Sequence, residues 1–448
     1  MSNYRLVAVI TVTILLAISI LSLYTPISEA QSSPIKIKWR VHSNPTPSTD
    51  VAYGVCEFGD YIYVVGEEGG KGRVEKRFKS NGALVKSWSG HFGPSAPLRD
   101  CTVIDEKLYA VNFGSHIFVF DLDLNIQVTG KDTYYPRGYA FSIISYGDYL
   151  YIAGAKYREE GGAVWSVEKW SAKDLSLVKS YSSDATTRFA LSIGVNPVTK
   201  QLWVVGEFVG ELGYNEFRVE ILDLDLNLVK IIKRAGWSSA LSITFDEDGY
   251  AYIGGSGFVP PKYDVHGLIA KYDKLGNEIA AVEMRGPAYK ILYVNNYIYV
   301  GSEELIDNYN RQVLYIFDKN LNQVDKIVLS RDMNTSAMLN WGKMAFDGKN
   351  LYIAGGDGLI DWGWTIYAIS ILLEELGTTT QTAETISPPI TLTNATQATT
   401  IDTPAVTLNI TKPSTPSKDD MTTLTLIVIV FAIAVITVAA AVILVIRK

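Results

Sequence analysis

Arg99, Arg137 and Arg188 each lie at or just before an alternating apolar segment, in consecutive stretches of similar length. A guanidinium binds a carboxylate or sulfate through paired hydrogen bonds, so three brought together would form an anion-binding mouth. Asp50, Asp100, Trp237, Lys290 and Asn334 occupy related places in their own stretches. Asp100 or Asp50 beside Arg137 or Arg188 would supply the acid or base of a lyase or glycan hydrolase. The alternative is that each arginine pairs with a loop acid such as Glu159 or Glu160, because an unpaired buried guanidinium is costly.

Other chemistries find little support. The four histidines, His42, His91, His116 and His266, are not at ligand spacing from one another, so no metal site is expected. "FDLDLN" (Phe120 to Asn125) and "LDLDLN" (Leu222 to Asn227) resemble part of a calcium loop, but lack its glycine and its distant glutamate. Asp and Asn at such a place serve a hairpin turn. Neither a Gly-x-Ser-x-Gly elbow nor a glycine-rich phosphate loop occurs, and no cofactor is expected. A formal net charge of −7 argues against nucleic acid as a partner.

The segments that position these residues repeat. "GDYIYVVG" from Gly59 returns as "EKLYAVNFG", "GDYLYIAG", "KQLWVVG", "DGYAYIGG", "NNYIYVG" and "KNLYIAGG". The second aromatic falls at Tyr63, Tyr109, Tyr151, Trp203, Tyr252, Tyr299 and Tyr352, at spacings of 42 to 53 residues, the period of a propeller blade. An alternating strand precedes each copy, as in "YAFSIISY" or "ALSITF", and two strands around a short turn follow it, as in "GLIAKYDKLGNEIAAV". Each unit therefore predicts a four-stranded antiparallel sheet. The seventh, "TIYAISILLEE", stops after its third strand, and "IKIKWRVHS" (Ile35 to Ser43) is predicted to supply the fourth and close the ring. The fold class is all-β, a seven-bladed propeller over residues 34–377.

The segment "SITFDEDGYAYIGGSGFVPPKYDVHGLIAKYDKLGNEIAAVEMRG" resembles the seven-bladed β-propeller repeats of secreted prokaryotic proteins, which show a DxxGNxYVTG-like strand and an FVAKLDxxGNLV-like hairpin. The resemblance covers all seven units and is clearest in the fifth. It implies fold and export and carries no fixed chemistry. The Ser-x-Asp-x-Gly-x-x-Thr-Trp turns of sialidase-like propellers and the tryptophan docking motifs of quinone-cofactor propellers are missing.

In such a ring, the turns between strands one and two and between three and four share one face. Here these turns are short and uniform: "GD", "NN", "SNG", "KLGN". The opposite face carries the variable stretches "GEEGGKGR", "KYREEGGAVW", "EFVGELGYNEF", "SGFVPPKYDVHG", "SEELIDNYNRQ" and "GDGLIDWGW", and function favours variable loops on a rigid frame. Trp362 and Trp364 bracket one glycine there and are the first choice for a contact surface. Cys56 and Cys101 lie on the inner strands of blades one and two with opposite parity, so they could meet across the seam as a disulfide; the alternative is two buried thiols.

The ends speak of export. Residues 1–30 read as a signal peptide, Arg5 preceding an apolar run that closes on Ser28, Glu29 and Ala30; a retained anchor is the alternative. Residues 378–420 are rich in Thr, Ser and Pro and form a stalk. Leu424 to Ile446 is uncharged and long enough to span a bilayer, and residues 447–448, Arg and Lys, stay inside, giving a type I cell-membrane protein with its propeller outside. Asn334, Asn394 and Asn409 fit the N-glycosylation pattern. Signal, propeller, stalk and anchor together resemble archaeal cell-surface proteins. The expected function is non-catalytic binding of a glycan, peptide or envelope protein through the variable face. The alternatives are a structural role in the envelope and, less favoured, the lyase or hydrolase chemistry above.

Overall fold

The computed structural model describes residues 35–90, 97–133, 138–159, 162–183, 187–210, 215–234, 239–259, 262–329, 336–338, 342–358 and 363–371. The expected signal segment, stalk and membrane span lie outside them. Every regular element described is a strand, and the strands form seven antiparallel sheets. Six are four-stranded blades in chain order, with inner strands Asp50–Phe58, Leu98–Ile104, Gly138–Tyr146, Thr187–Val195, Ser239–Phe245 and Ala288–Val294.

The seventh blade is assembled from both ends of the domain. Ile35–Ser43 pairs antiparallel with Gly363–Ile371, from Ile35 opposite Ile371 to Ser43 opposite Trp364. Arg40 and His42 on this closing strand grip the two oxygens of Asp357, each at 2.8 Å. The inner strand of this blade is broken into Ser336–Met338 and Ala345–Phe346, which the repeat alone did not foresee.

The repeated sequence features act at the seams between blades. The second aromatic of the motif sends its hydroxyl into the next blade: Tyr63 to Leu122 O at 3.0 Å, Tyr109 to Ala172 O at 2.8 Å, Tyr151 to Leu224 O at 3.0 Å. Tyr252 does the same with Lys319 O at 3.3 Å. The motif glycine permits close approach of two blades. A Cβ on Gly66 would stand 2.9 Å from the Trp364 ring of blade seven, and one on Gly206 would stand 2.8 Å from the Trp165 ring of blade three.

The Asp-rich hairpins are turns built by their own side chains. Asp121 accepts from Asp123 N, Asn125 N and Asn125 Nδ2 at 2.8–2.9 Å, and Asp223, Asp273 and Asp318 repeat the pattern with Asn227, Asn277 and Asn322. Burial pushes the carboxyls of Asp121, Asp223 and Asp273 up, and the hydrogen bonds to the turn together outweigh it, holding them below the usual range. Leu124, Leu226 and Leu321 adopt positive φ in these turns and are buried, so hydrophobic contact offsets the backbone strain. Among the described residues no His, Cys, Asp and Glu cluster could hold a metal ion.

The Cys56 and Cys101 sulfurs are bonded across the seam between blades one and two, with Cα atoms 6.0 Å apart. The opposite parity of the two positions is what turns them toward each other.

Candidate functional site

Each of the six intact inner strands carries a β-bulge at the same height. The register skips Tyr53, Arg99, Phe141, Leu191, Leu241 and Tyr289 in blades one to six. A bulge inserts one residue without a partner and re-aims its side chain. The result is a ring of six such residues around the channel: Phe141, Leu191 and Leu241 pack together, with Phe113, Tyr139, Phe189 and Tyr289 against them.

The residue after each bulge forms a second ring toward the short-turn face: Gly54, Asp100, Ser142, Ser192, Ser242 and Lys290. Here the channel is sealed by charge. Asp100, 1% exposed, accepts from Cys101 N, Ser142 Oγ and Ile143 N at 2.9 Å each. Lys343 arrives from the broken strand of blade seven, 2.9 Å from Asp100, and also donates to Ile143 O. Lys290, fully buried, reaches across to Tyr53 O at 2.6 Å. Burial pulls its ammonium down to about 7, against the attraction of Asp100 and Glu303. Gly342 must be glycine for this segment to reach the axis: its φ is +146°, and a Cβ would stand 2.2 Å from Tyr53 O.

Above the seal, on the variable face, lies an open aromatic mouth. Tyr139 is its centre, with ring centroids 4.4 Å from Phe113, 5.5 Å from Tyr157 and 5.6 Å from Phe189. Tyr157 is exposed and donates to the Tyr139 hydroxyl at 2.8 Å. Arg99 lies over two rings, 4.2 Å from Tyr53 and 4.9 Å from Phe113, and its buried Nε has no hydrogen-bond partner. Tyr53 donates to Glu67 at 3.3 Å; burial pushes this hydroxyl up to about 12, opposed by the charge of Arg99. Burial also raises Glu67, and raises Glu207, which accepts from Ser239 and Asn215 at 2.9 Å. Arg188 is exposed, and its charge opposes the rise of Glu207.

The expected site residues thus separate. Arg99 packs on the rings of the mouth, whereas Arg188, next to Phe189 in the chain, is exposed and acts on Glu207. Asp100 and Lys290 lie beneath it in the seal and are not open to a ligand from above. Trp364 is not a surface contact at all: it is fully buried, and its Nε1 donates to Glu67 O of blade one at 2.7 Å. Gly66 of blade one leaves the room for its ring. Asp50 is also enclosed, accepting from Thr46 N, Thr46 Oγ1 and Gly69 N at 2.9–3.0 Å. Arg137, Trp237, Asn334, Trp362, Asn394 and Asn409 lie outside the described residues.

Among the described residues, two of the variable stretches prove to be strand throughout but for a two-residue turn. "GEEGGKGR" reduces to a turn at Gly69 and Gly70 between strands ending at Glu68 and starting at Lys71. "SEELIDNYNRQ" turns at Asp307 and Asn308, both with positive φ, between strands ending at Ile306 and starting at Tyr309. The sequence reading missed Tyr53, Phe113, Tyr139, Phe189 and Tyr289. A signal existed: a large residue precedes Gly, Asp, Ser or Lys at one place in each inner strand.

No protein-family model and no curated protein sequence matches this chain. Among solved structures it is similar to the WD40 domain of Neurospora crassa Pan2, with 9% identity, a TM-score of 0.52, and coverage of 75% of this chain and 95% of that one. Identity this low speaks for fold alone, and on the fold it agrees with the sheet order described above. The chain is a seven-bladed β-propeller, similar in form to a WD40 domain.

Proposed function

We propose that this protein is a non-catalytic binding propeller that recognises a partner through the aromatic mouth of its variable face. The observation that carries this reading is the cluster of Phe113, Tyr139, Tyr157 and Phe189 beside Arg99. Partly exposed aromatic and arginine groups around a concavity are the residue types that dominate binding energy at interfaces. WD40 propellers, which this fold resembles, commonly mediate protein interactions. A peptide, a glycan or an envelope protein would each meet the mouth through apolar contact and a hydrogen-bonding or acidic group for Arg99.

The catalytic alternative is less favoured because both candidate acids are engaged. Asp100 serves three donors and Lys343, and Asp50 holds the chain around Thr46 and Gly69.

The proposal includes a cell-surface setting: exported by its N-terminal segment, carried on the Thr-rich stalk, and anchored type I by Leu424 to Ile446. One feature supports it. The strand Gly363–Ile371 ends on the short-turn face, on the side opposite the mouth. A tether there would leave the mouth pointing outward.

A photoreactive residue placed at position 157 of the full chain tests the reading on intact cells. Discrete adducts are expected there, absent when the same residue replaces Lys349 on the short-turn face and lost on adding Tyr139→Ser. Adducts from position 349 alone would sink the assignment.

A further inference from the structure

The lower half of the channel, beneath the seal, holds a cavity of about 340 Å³. This volume is at the small end of ligand sites. Its walls come from the inner strands of blades three to six, with Ile193, Ile243 and Ile291 prominent, and Lys343 and Met344 line it from blade seven. It lies on the opposite side of the Asp100 and Lys290 seal from the aromatic mouth, so it is a separate site.

Its polar groups are of one kind. Ser242 and Thr244 line the cavity and are more than nine-tenths buried. Each accepts a backbone N–H from blade six, Ile291 N at 3.2 Å and Tyr293 N at 3.0 Å. With an acceptor lone pair of each hydroxyl so engaged, the hydroxyl proton is left to donate. Lys343 has three ammonium protons; Asp100 and Ile143 O take two. No carboxylate lines the cavity. Walls of Ile, Val, Leu and Met around two hydroxyl donors and the third Lys343 proton, with Asp100 behind the ammonium and not in the wall, favour an apolar body with an anionic head.

We propose that the lower channel binds a small amphiphilic carboxylate, its apolar part against Ile193, Ile243 and Ile291 and its carboxylate toward Ser242, Thr244 and Lys343. The mouth and this cavity are independent, so either assignment stands without the other.

Calorimetric titration of the full chain with 4-phenylbutyrate, with hexanoate, and with 4-phenylbutylamine as the cationic counterpart tests it. Saturable binding of the carboxylates at one site is expected, with the amine at least about tenfold weaker, as loss of a charge-assisted hydrogen bond implies. Leu292→Trp, at a half-buried lining position, should abolish binding by filling the space. Lys343→Met should weaken it about tenfold or more. Because that change also unpairs Asp100, Thr244→Val provides a second reading, expected to weaken binding severalfold. Equal affinity for carboxylate and amine, wild-type affinity in Leu292→Trp, or no saturable binding of either carboxylate would overturn the proposal.

Discussion

On the short-turn face, Tyr63, Tyr109, Tyr151 and Tyr252 each reach a carbonyl of the next blade, and Lys86, Lys179 and Lys230 each donate to an Asn of the following hairpin. On the variable face the described blades contribute different groups at equivalent height: Tyr53, Arg99, Phe141, Leu191, Leu241 and Tyr289. The strands are the same on both faces, and the bulge is shared. What differs is whether the side chain repeats. Repetition marks the contacts that hold the ring, and variation marks those left to recognition.

If that division is right, the largest effects should come from the frame. Removing Ile35 to Ser43 strips a strand and the Asp357 grip from blade seven, and should cost several kcal/mol, read as a large fall in melting temperature. An unchanged melting temperature would mean that closure contributes nothing. Replacing Cys56 and Cys101 by serine opens a cross-link with sequence separation 45 and should cost about 4 kcal/mol on chain-entropy grounds, measurable by denaturant unfolding.

The seal makes a pH prediction. The folded pKa of Lys290 lies near 7, below the ordinary 10.5, so the unfolded chain binds more protons between those values. Stability should therefore rise with pH across that window, and Lys290→Met should flatten the rise in parallel thermal melts. A slope unaffected by the substitution would show that the charge is accommodated elsewhere.

The smallest effects sharpen the contrast between faces. Tyr151→Phe removes one seam hydrogen bond and should cost about 1 kcal/mol without touching partner capture. Arg188→Ala, at an exposed position, should change stability by less than about 0.5 kcal/mol and yet weaken capture at the mouth. Reversed outcomes for this pair would erase the distinction.

The frame was legible because it is periodic. Seven copies of one strand, the early stop in "TIYAISILLEE" and the parity of Cys56 and Cys101 are all counting arguments, and the sheet order agrees with the first two. The mouth was only half legible. Arg99 and Arg188 stood out as charges, but the sequence carries no mark of depth, so Asp100 and Lys290, one residue past the bulge, looked equivalent to residues above it. Trp364 misled for a related reason: a tryptophan flanked by glycine reads as an exposed loop, whereas Gly66 of the next blade makes room for its ring. The seal itself depends on a segment of blade seven that breaks the repeat, where periodicity has nothing to say.

The register of the closing strand also sets how the molecule answers to force. Ile35 and Ile371 are paired neighbours at one end of the seventh blade. Pulling these two ends apart loads one hydrogen-bonded pair at a time and peels the strand like a zipper. Pulling on Ile371 against a partner held at the opposite face loads the flanking ladders along their length, in shear, where many bonds resist together. The ring is soft in the first direction and stiff in the second.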